Sequence, residues 1–199
     1  MQSDVDPATL DEAATAIRAG DLVVYPTETV YGLGADALAP DAVARVFEAK
    51  RRSRDEPLSL AVPDVESAFE FLRSSAVVRA FADAFLPGPV TVVGERMPVV
   101  PDELTGGRDR VGVRVPDHPV ALALLDRVAP ITATSANVSG RGSATRVDEL
   151  DAEILEAVAV VVDGGPTPGG GSTVVDPERG EVLRRGALAD EVETWLAER

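Results

Sequence analysis

Four basic residues fall within five positions, Lys50, Arg51, Arg52 and Arg54, in a chain whose formal net charge is -15. Favourable contacts with a helix dipole account for one or two such charges, at about 0.3 to 1 kcal/mol each. Four charges favour a clamp for phosphate or carboxylate groups, in which arginine supplies a fork of donors and lysine a compact charge. Lys50 is also the only lysine of the chain, which strengthens this interpretation.

Two hydroxyl-rich segments follow apolar, strand-like runs and could read a polar ligand. Thr27 and Thr29 come after the run 22–25 and before the sequence GLG, whose glycines allow backbone amides to approach a small molecule. Residues 132–140, TATSANVSG, place a hydroxyl or amide at nearly every other position. Both segments also fit ordinary turns whose side chains bond their own backbone, so the pattern leaves both interpretations open.

Two arginines, Arg114 and Arg184, lie among apolar residues of predicted strands, where an unpaired charge would cost several kcal/mol. Each therefore needs a partner, which is either a ligand or a carboxylate of the chain itself. The run 169–173, GGGST, has the glycines of a phosphate cradle but no following lysine, so it does not match a P-loop. His118 precedes a proline at a helix start, and we expect it to be structural.

The elements that position these residues alternate between strands and helices. Strands are predicted at 22–25, 58–62, 90–94, 111–115, 131–134 and 158–163, with a hairpin of 172–176 and 181–184. Helices are predicted from Pro7 towards Gly20 and at 40–50, 64–73, 76–85, 118–128, 147–158 and 190–198. No linker marks a boundary. The pattern predicts one α/β domain over residues 1–199, with a mixed, open sheet flanked by helices.

Composition excludes several classes of site. The chain has no cysteine and one histidine, which rules out thiolate zinc sites and cysteine nucleophiles and disfavours a histidine metal cage. No apolar run approaches the roughly 20 residues that cross a membrane, and the N-terminal MQSDVDPATL lacks signal-peptide features, so we expect a cytoplasmic protein. Many acids and a single lysine favour the hypothesis of a halophilic protein adapted to a high-salt cytoplasm.

Seven motifs occur in order, PTETVYGLGADA, KRR followed by PL, LPGPVT, GVRVPDHP, TSANVSG, STVVD and VLRRGA, and cover the chain from about Asp21 to Ala187. Together they resemble the YrdC-like family of threonylcarbamoyl-AMP synthases. The resemblance implies a twisted, open α/β sheet with a wide, positively charged cleft. It also implies a nucleotidyltransferase that joins L-threonine, bicarbonate or CO2 and ATP into threonylcarbamoyl-AMP and pyrophosphate, for threonylcarbamoyladenosine modification of tRNA.

The resemblance also implies site residues. For ATP they are Lys50, Arg52, Asn137, Thr145 and Arg184, with Lys50 and Arg52 as the catalytic pair. For L-threonine they are Thr29, Arg114, Ser135 and Ser172, with Arg114 pairing the substrate carboxylate. Mg²⁺ would accompany ATP on the leaving phosphates, and no protein ligands are assigned to it. The product would pass to a tRNA threonylcarbamoyl-transfer complex, and direct tRNA binding is not expected.

Several positions depart from the family pattern. Ser53 stands where a proline often follows the lysine-x-arginine signature, and Ala61 stands where longer relatives carry a histidine. We expect the short, single-domain form, without the additional C-terminal domain of those relatives. Three alternatives stay open: a paralogue of the same fold with another carbamoyl or nucleotide substrate, a nucleic-acid-binding module, and a structural subunit. The net charge of -15 and only eight aromatic residues disfavour the nucleic-acid module.

Overall fold

A computed structural model describes residues 5–199 of the chain, so residues 1–4 of the predicted domain 1–199 lie outside the described part. Its strands are Leu22–Tyr25 (β1), Gly32–Gly34 (β2), Ser59–Ala61 (β3), Val90–Glu95 (β4), Arg110–Arg114 (β5), Ile131–Ser135 (β6), Val158–Val161 (β7), Thr173–Asp176 (β8) and Glu181–Arg184 (β9). Its α-helices are Pro7–Arg18 (α1), Pro40–Lys50 (α2), Val65–Ala68 (α3), Ala76–Phe85 (α4), Asp102–Thr105 (α5), Pro119–Leu125 (α6), Ala152–Ala157 (α7) and Ala189–Ala197 (α8).

The strands form one sheet in the order β7-β1-β2-β6-β3-β5-β4-β8-β9. Three neighbouring pairs are parallel, β1 with β7, β3 with β5 and β4 with β8, and the other five are antiparallel. The sheet is therefore mixed and open, and the predicted α/β class is confirmed. The predicted hairpin is present as the antiparallel pair of β8 and β9, and it lies at one edge of the sheet.

Helices cover the two faces of this sheet unequally. Val111 and Val113 of β5 face a large apolar core that also receives α2, α4, α7 and α8. On the other face, α1 packs against β1, β7 and α6, and Val23 and Ile17 belong to a second apolar cluster there. Because this second layer covers only one end of the sheet, the rest of that face stays open to a ligand.

Three predicted elements are wrong. The helix predicted at 64–73 ends at Ala68, because the Arg73 N–H instead pairs with the Glu95 carbonyl at 2.8 Å. The helix predicted at 147–158 is split into a 3-10 turn and α7, and the Asp151 carboxylate between them accepts the Val138 N–H at 2.8 Å. In both segments a contact with a distant part of the chain overrides the apolar periodicity.

The third error concerns the sequence GLG, which is a buried strand and not a loop. The Tyr25 ring of the adjacent strand occupies the space over these glycines. A Cβ atom on Gly32 would lie 2.9 Å from Tyr25 Cζ, and one on Gly34 would lie 3.1 Å from Tyr25 Cε1. The glycines therefore make room for a buried tyrosine, which is a different role from the predicted presentation of amides to a ligand.

Candidate functional site

The cleft lies over the open face of the sheet and has a volume of about 1070 Å³. Its floor consists of alternate residues on neighbouring strands, because successive side chains of a strand point to opposite faces. On β5 the residues on this floor are Arg110, Gly112 and Arg114, while Val111 and Val113 enter the core. The predicted orientation of Arg114 towards a cleft is thus the orientation in the structure.

Gly112 marks a close approach of three strands at the centre of this floor. A Cβ atom there would overlap the Ser59 hydroxyl of β3 and would lie 3.0 Å from Thr91 Cγ2 of β4. Side chains from both neighbouring strands therefore lean over the glycine. Between Arg110 and Arg114, the side chains of Ser59 and Thr91 therefore cover the backbone of β5 with hydroxyl-bearing groups.

The cleft concentrates positive charge in an acidic protein. Six arginines line it, Arg52, Arg108, Arg110, Arg114, Arg179 and Arg184, against three acidic residues, Glu56, Asp109 and Asp176. Lining charges thus have the opposite sign to the net charge of the chain, -15. Such a contrast attracts anionic small molecules into the cleft while the outer surface repels polyanions.

Arg114 has an internal carboxylate partner. Its Nη2 lies 2.7 Å from Glu28 Oε1 and donates to Thr29 Oγ1 at 3.0 Å, and both charged side chains are largely buried, at 11% and 13% exposure. Glu28 is not part of the cleft lining, whereas Arg114 and Thr29 are. Within residues 5–199, Arg114 Nε has no hydrogen-bond partner. This Nε atom is buried, so it is as a residue of the cleft lining, with Glu28 behind it, that Arg114 reaches the cleft.

Arg184 and Ser172 form a second contact at the cleft wall. Arg184 donates from Nε and Nη2 to the Ser172 carbonyl, at 3.1 and 2.9 Å, and from Nη2 to the Ser172 hydroxyl at 2.9 Å. Burial lowers the pKa of Arg184, and the positive charges of Arg114 and Arg52 lower it further. The charges of Arg114 and Arg52 thus disfavour the charged form of Arg184, an effect that a bound anion would relieve.

The basic cluster after α2 is divided. Arg52 lines the cleft and donates from Nε to the Glu56 carbonyl at 3.0 Å. Arg51 pairs with Glu153 at 3.5 Å and Arg54 pairs with Glu48 at 3.8 Å, and neither lines the cleft. The predicted clamp of four charges is therefore wrong, since only Arg52 reaches the cleft.

Lys50 is buried, although a lysine at the end of a helix is usually exposed to solvent. Its Nζ donates to the carbonyl of Ser135 and to the carbonyl of Asn137, the latter at 2.8 Å, and Lys50 is not part of the lining. Burial lowers the pKa of Lys50 to about 8; the charge of Arg52 also lowers it, and Asp151 opposes the shift. The ammonium contacts the chain's own backbone.

The other predicted residues divide in the same way. Ser135 and Thr145 line the cleft, and the Thr145 hydroxyl donates to Glu149 Oε2 at 2.9 Å. Asn137 is buried outside the lining, where its Nδ2 donates to the carbonyls of Val138 and Arg141, each at 2.9 Å. Seven of the nine predicted site residues therefore share one cleft: Thr29, Arg52, Arg114, Ser135, Thr145, Ser172 and Arg184.

The sequence profile of the Sua5/YciO/YrdC family, described as telomere recombination, matches residues 15–186. The chain belongs to this family. It is 42% identical over 193 residues to the threonylcarbamoyl-AMP synthase of Pyrococcus abyssi (strain GE5 / Orsay), covering 94% of this chain and 56% of that relative. The resemblance that the seven motifs carry is thereby confirmed.

Solved structures of the Sua5/YciO/YrdC family share the fold. P. abyssi Sua5 in complex with L-threonine superposes with a TM-score of 0.87 at 39% identity, over 96% of this chain and 58% of that one. E. coli YciO, at 24% identity, superposes with a TM-score of 0.85 over 94% and 93% of the two chains. The chain spans little more than half the length of the P. abyssi relative.

Three arginines of the cleft, Arg108, Arg110 and Arg179, are not predicted by the sequence motifs. Arg110 pairs with the buried Asp176 at 2.6 Å, and Arg179 lies 3.6 Å from the same carboxylate. Arg108 donates to the Asp55 carbonyl at 2.8 Å. Strand alternation could have found Arg110, which lies four residues before Arg114 on the same face. Arg108 lies in an irregular segment and Arg179 in a turn, where no periodicity indicates the direction of a side chain.

The described residues 5–199 hold no group of three or more histidine, aspartate or glutamate side chains that could bind a metal ion. Of the acids in the cleft, Asp176 is already paired with Arg110. The cleft acids among residues 5–199 therefore form no group of that size. None of the described helices is long and apolar enough to span a bilayer.

Proposed function

We propose that this protein is an L-threonylcarbamoyladenylate synthase, which joins L-threonine, bicarbonate or CO2 and ATP into threonylcarbamoyl-AMP and pyrophosphate. The observation that carries the proposal is the convergence of Arg52, Arg114 and Arg184 on one cleft, where burial and the charges of Arg114 and Arg52 lower the pKa of Arg184. The P. abyssi relative is named a threonylcarbamoyl-AMP synthase, and its structure was solved with L-threonine. Both findings support the same substrate here.

L-threonine would lie at the Arg114 end of the cleft. The guanidinium of Arg114, which lines the cleft, suits its carboxylate, and the hydroxyls of Thr29, Ser135 and Ser172 suit its side chain and amine. Arg52, Arg184 and Thr145 remain for the nucleotide, with Mg²⁺ entering on the phosphate oxygens. An arginine fork binds two oxygens in parallel, so each guanidinium can orient a carboxylate or a phosphate.

The reaction needs no protein nucleophile, which suits a chain without cysteine. The deprotonated threonine amine forms a bond to the carbon of CO2, and one proton leaves to water. With bicarbonate the same N–C bond forms, and the amine proton leaves together with the hydroxyl of bicarbonate as one water molecule. A carbamate oxygen then bonds the α-phosphorus of ATP, and the bond to the pyrophosphate oxygen breaks with its electron pair on pyrophosphate. The arginines align the reactants and neutralise the phosphate charge. The product would pass to a tRNA threonylcarbamoyl-transfer complex.

A second candidate is a paralogous activity of the same family with a different carbamoyl or nucleotide substrate. Ala61 favours it, because this small residue lines the cleft at the position where longer relatives carry a histidine. A wall without that imidazole could admit a different amino acid. Replacement of threonine by other amino acids in one assay separates the two activities.

The test is synthesis itself. Protein is incubated with ATP, L-threonine and bicarbonate, pyrophosphate release is measured, and threonylcarbamoyl-AMP is detected by mass. Arg52→Ala should lower the rate by roughly 100-fold or more, since loss of one charge-stabilising donor costs about 2.7 to 4 kcal/mol in the barrier. Arg54→Ala is the matched control and should retain wild-type turnover. Pyrophosphate release by the wild type that does not depend on threonine would contradict the proposal.

A further inference from the structure

Lys50 binds the backbone at both ends of a short turn. This turn, residues 135–139, follows β6. The Lys50 ammonium donates to the carbonyls of Ser135 and Asn137, and the Ser139 N–H donates back to the Lys50 carbonyl at 2.8 Å. The side chain is 1% exposed. One residue thus fixes the 135–139 turn by three hydrogen bonds.

The same turn is held from its outer side. Asp151, which precedes α7, accepts the Val138 N–H at 2.8 Å and Arg141 donates to the same carboxylate at 2.7 Å. The turn is therefore hydrogen-bonded on one side to the end of α2 and on the other to the start of α7. Ser135 is its member in the cleft lining, so its hydroxyl position depends on these contacts.

A direct contact between Lys50 and phosphate does not fit this arrangement. An ammonium has three donors, and two of those of Lys50 are used by carbonyls. Lys50 is also the last residue of α2, where the helix dipole presents partial negative charge. Anions are favoured at the opposite end of a helix. The nearest basic residue that lines the cleft is Arg52.

We propose that Lys50 is a positioning residue, which holds the 135–139 turn so that Ser135 presents its hydroxyl to threonine, and that it does not contact the phosphates of ATP. The identity of the ligand rests on the proposed function. The positioning of the turn does not, because it follows from the contacts of Lys50 alone.

The chain has no cysteine, so Lys50→Cys creates a unique thiol. The variant is alkylated in denaturant and refolded, once with 2-bromoethylamine, which restores an ammonium at nearly the same reach, and once with 1-bromopropane, which adds an apolar group of equal length. Wild-type protein taken through the same cycle is the control for refolding. Thermal melts of all three forms establish that they are folded.

Calorimetric titrations of L-threonine and of ATP then compare the three forms. In the propyl form the threonine Kd should rise roughly tenfold, the effect of misplacing about one hydrogen bond, while the ATP Kd stays within twofold. The aminoethyl form should recover threonine binding. ATP binding weakened as much as threonine binding would place Lys50 on the phosphates, and unchanged threonine binding would remove its positioning role.

Hydrogen exchange separates this proposal from the proposed function. The Ser139 amide should exchange faster in the propyl form than in the aminoethyl form, because the partner of that amide is no longer held. If refolded wild type binds no threonine, the proposed function fails and the exchange rates alone decide the role of Lys50. Equal rates in the two forms would overturn it, whatever the ligand.

Discussion

Glu28→Gln tests whether the buried pair behind the cleft stabilises the fold. Glu28 Oε1 and Arg114 Nη2 are 2.7 Å apart, with 13% and 11% of their side chains exposed. Breaking a buried pair costs about 3 to 5 kcal/mol, because the remaining charge is left desolvated. Glutamine keeps the shape of the side chain and a neutral oxygen near Arg114, whose dipole offsets part of this cost. We expect the free energy of unfolding to fall by about 2 to 4 kcal/mol.

Urea denaturation of Glu28→Gln beside Glu66→Gln measures this loss. Glu66 pairs with Arg79 at 2.8 Å, but with 78% and 40% of the side chains exposed, so the matched substitution there should cost less than about 1 kcal/mol. The two variants share the chemical change and the distance, and differ in burial. Equal losses in both would refute the argument that burial makes the first pair strong.

The same variant tests the predicted role of Arg114. Removing the charge of Glu28 leaves the guanidinium without an internal counter-ion, so a ligand carboxylate should compensate it better than in the wild type. Threonine should therefore bind Glu28→Gln more tightly, and saturating threonine should restore part of the lost stability, because a ligand that binds only the folded state raises the free energy of unfolding. Calorimetric titration decides this point. Weaker threonine binding would show that Arg114 does not pair with the substrate carboxylate.

Three further predictions concern pH, salt and substrate. Lys50 has a pKa of about 8 in the fold against 10.5 for the unperturbed side chain, so the unfolded state binds more protons between these values. From pH 8 to 10.5, the free energy of unfolding in urea should rise by up to about 3 kcal/mol more for the wild type than for Lys50→Met. If the free energies of both proteins change with pH in parallel, the lowered pKa is contradicted. With its net charge of -15, the protein should unfold at a higher temperature in multimolar KCl than at low salt, and equal stability would remove the high-salt hypothesis. In the pyrophosphate-release assay, serine should be a poorer substrate than threonine by roughly 1 to 3 kcal/mol, because it lacks one methyl group. Valine should be rejected more strongly, because it lacks the hydroxyl that Thr29, Ser135 and Ser172 would bind. Equal use of valine and serine would contradict these contacts.

Sequence periodicity located most of the sheet because the strands are short β-branched runs bounded by proline and glycine. It failed at Gly32 to Gly34, since the reason for those glycines is the Tyr25 ring on a neighbouring strand. Motif order brought seven predicted residues to one cleft. It did not reveal Glu28 as the partner of Arg114, because that pair joins residues far apart in the chain.

The burial of Lys50 was equally hidden from the sequence. A lysine at a helix end is normally solvated, and nothing in the neighbouring sequence indicates that Lys50 is buried. What decides its environment is the later 135–139 turn, whose carbonyls take the ammonium. The basic cluster thus has one member, Arg52, in the cleft lining, while Lys50, two positions earlier, is bonded to backbone carbonyls.

The crowding over Gly112 links two positions that are far apart in the chain. A Cβ atom at 112 and the Ser59 side chain compete for the same volume, so the two positions cannot enlarge independently. The single substitution Gly112→Ala should lower the stability of the protein. Adding Ser59→Gly should restore that stability, with a small shift of the Thr91 side chain. Homologues that carry a side chain at the first position are then expected to carry glycine at the second. Such a size exchange offers a way to reshape the floor of the cleft without disturbing the arginines on either side.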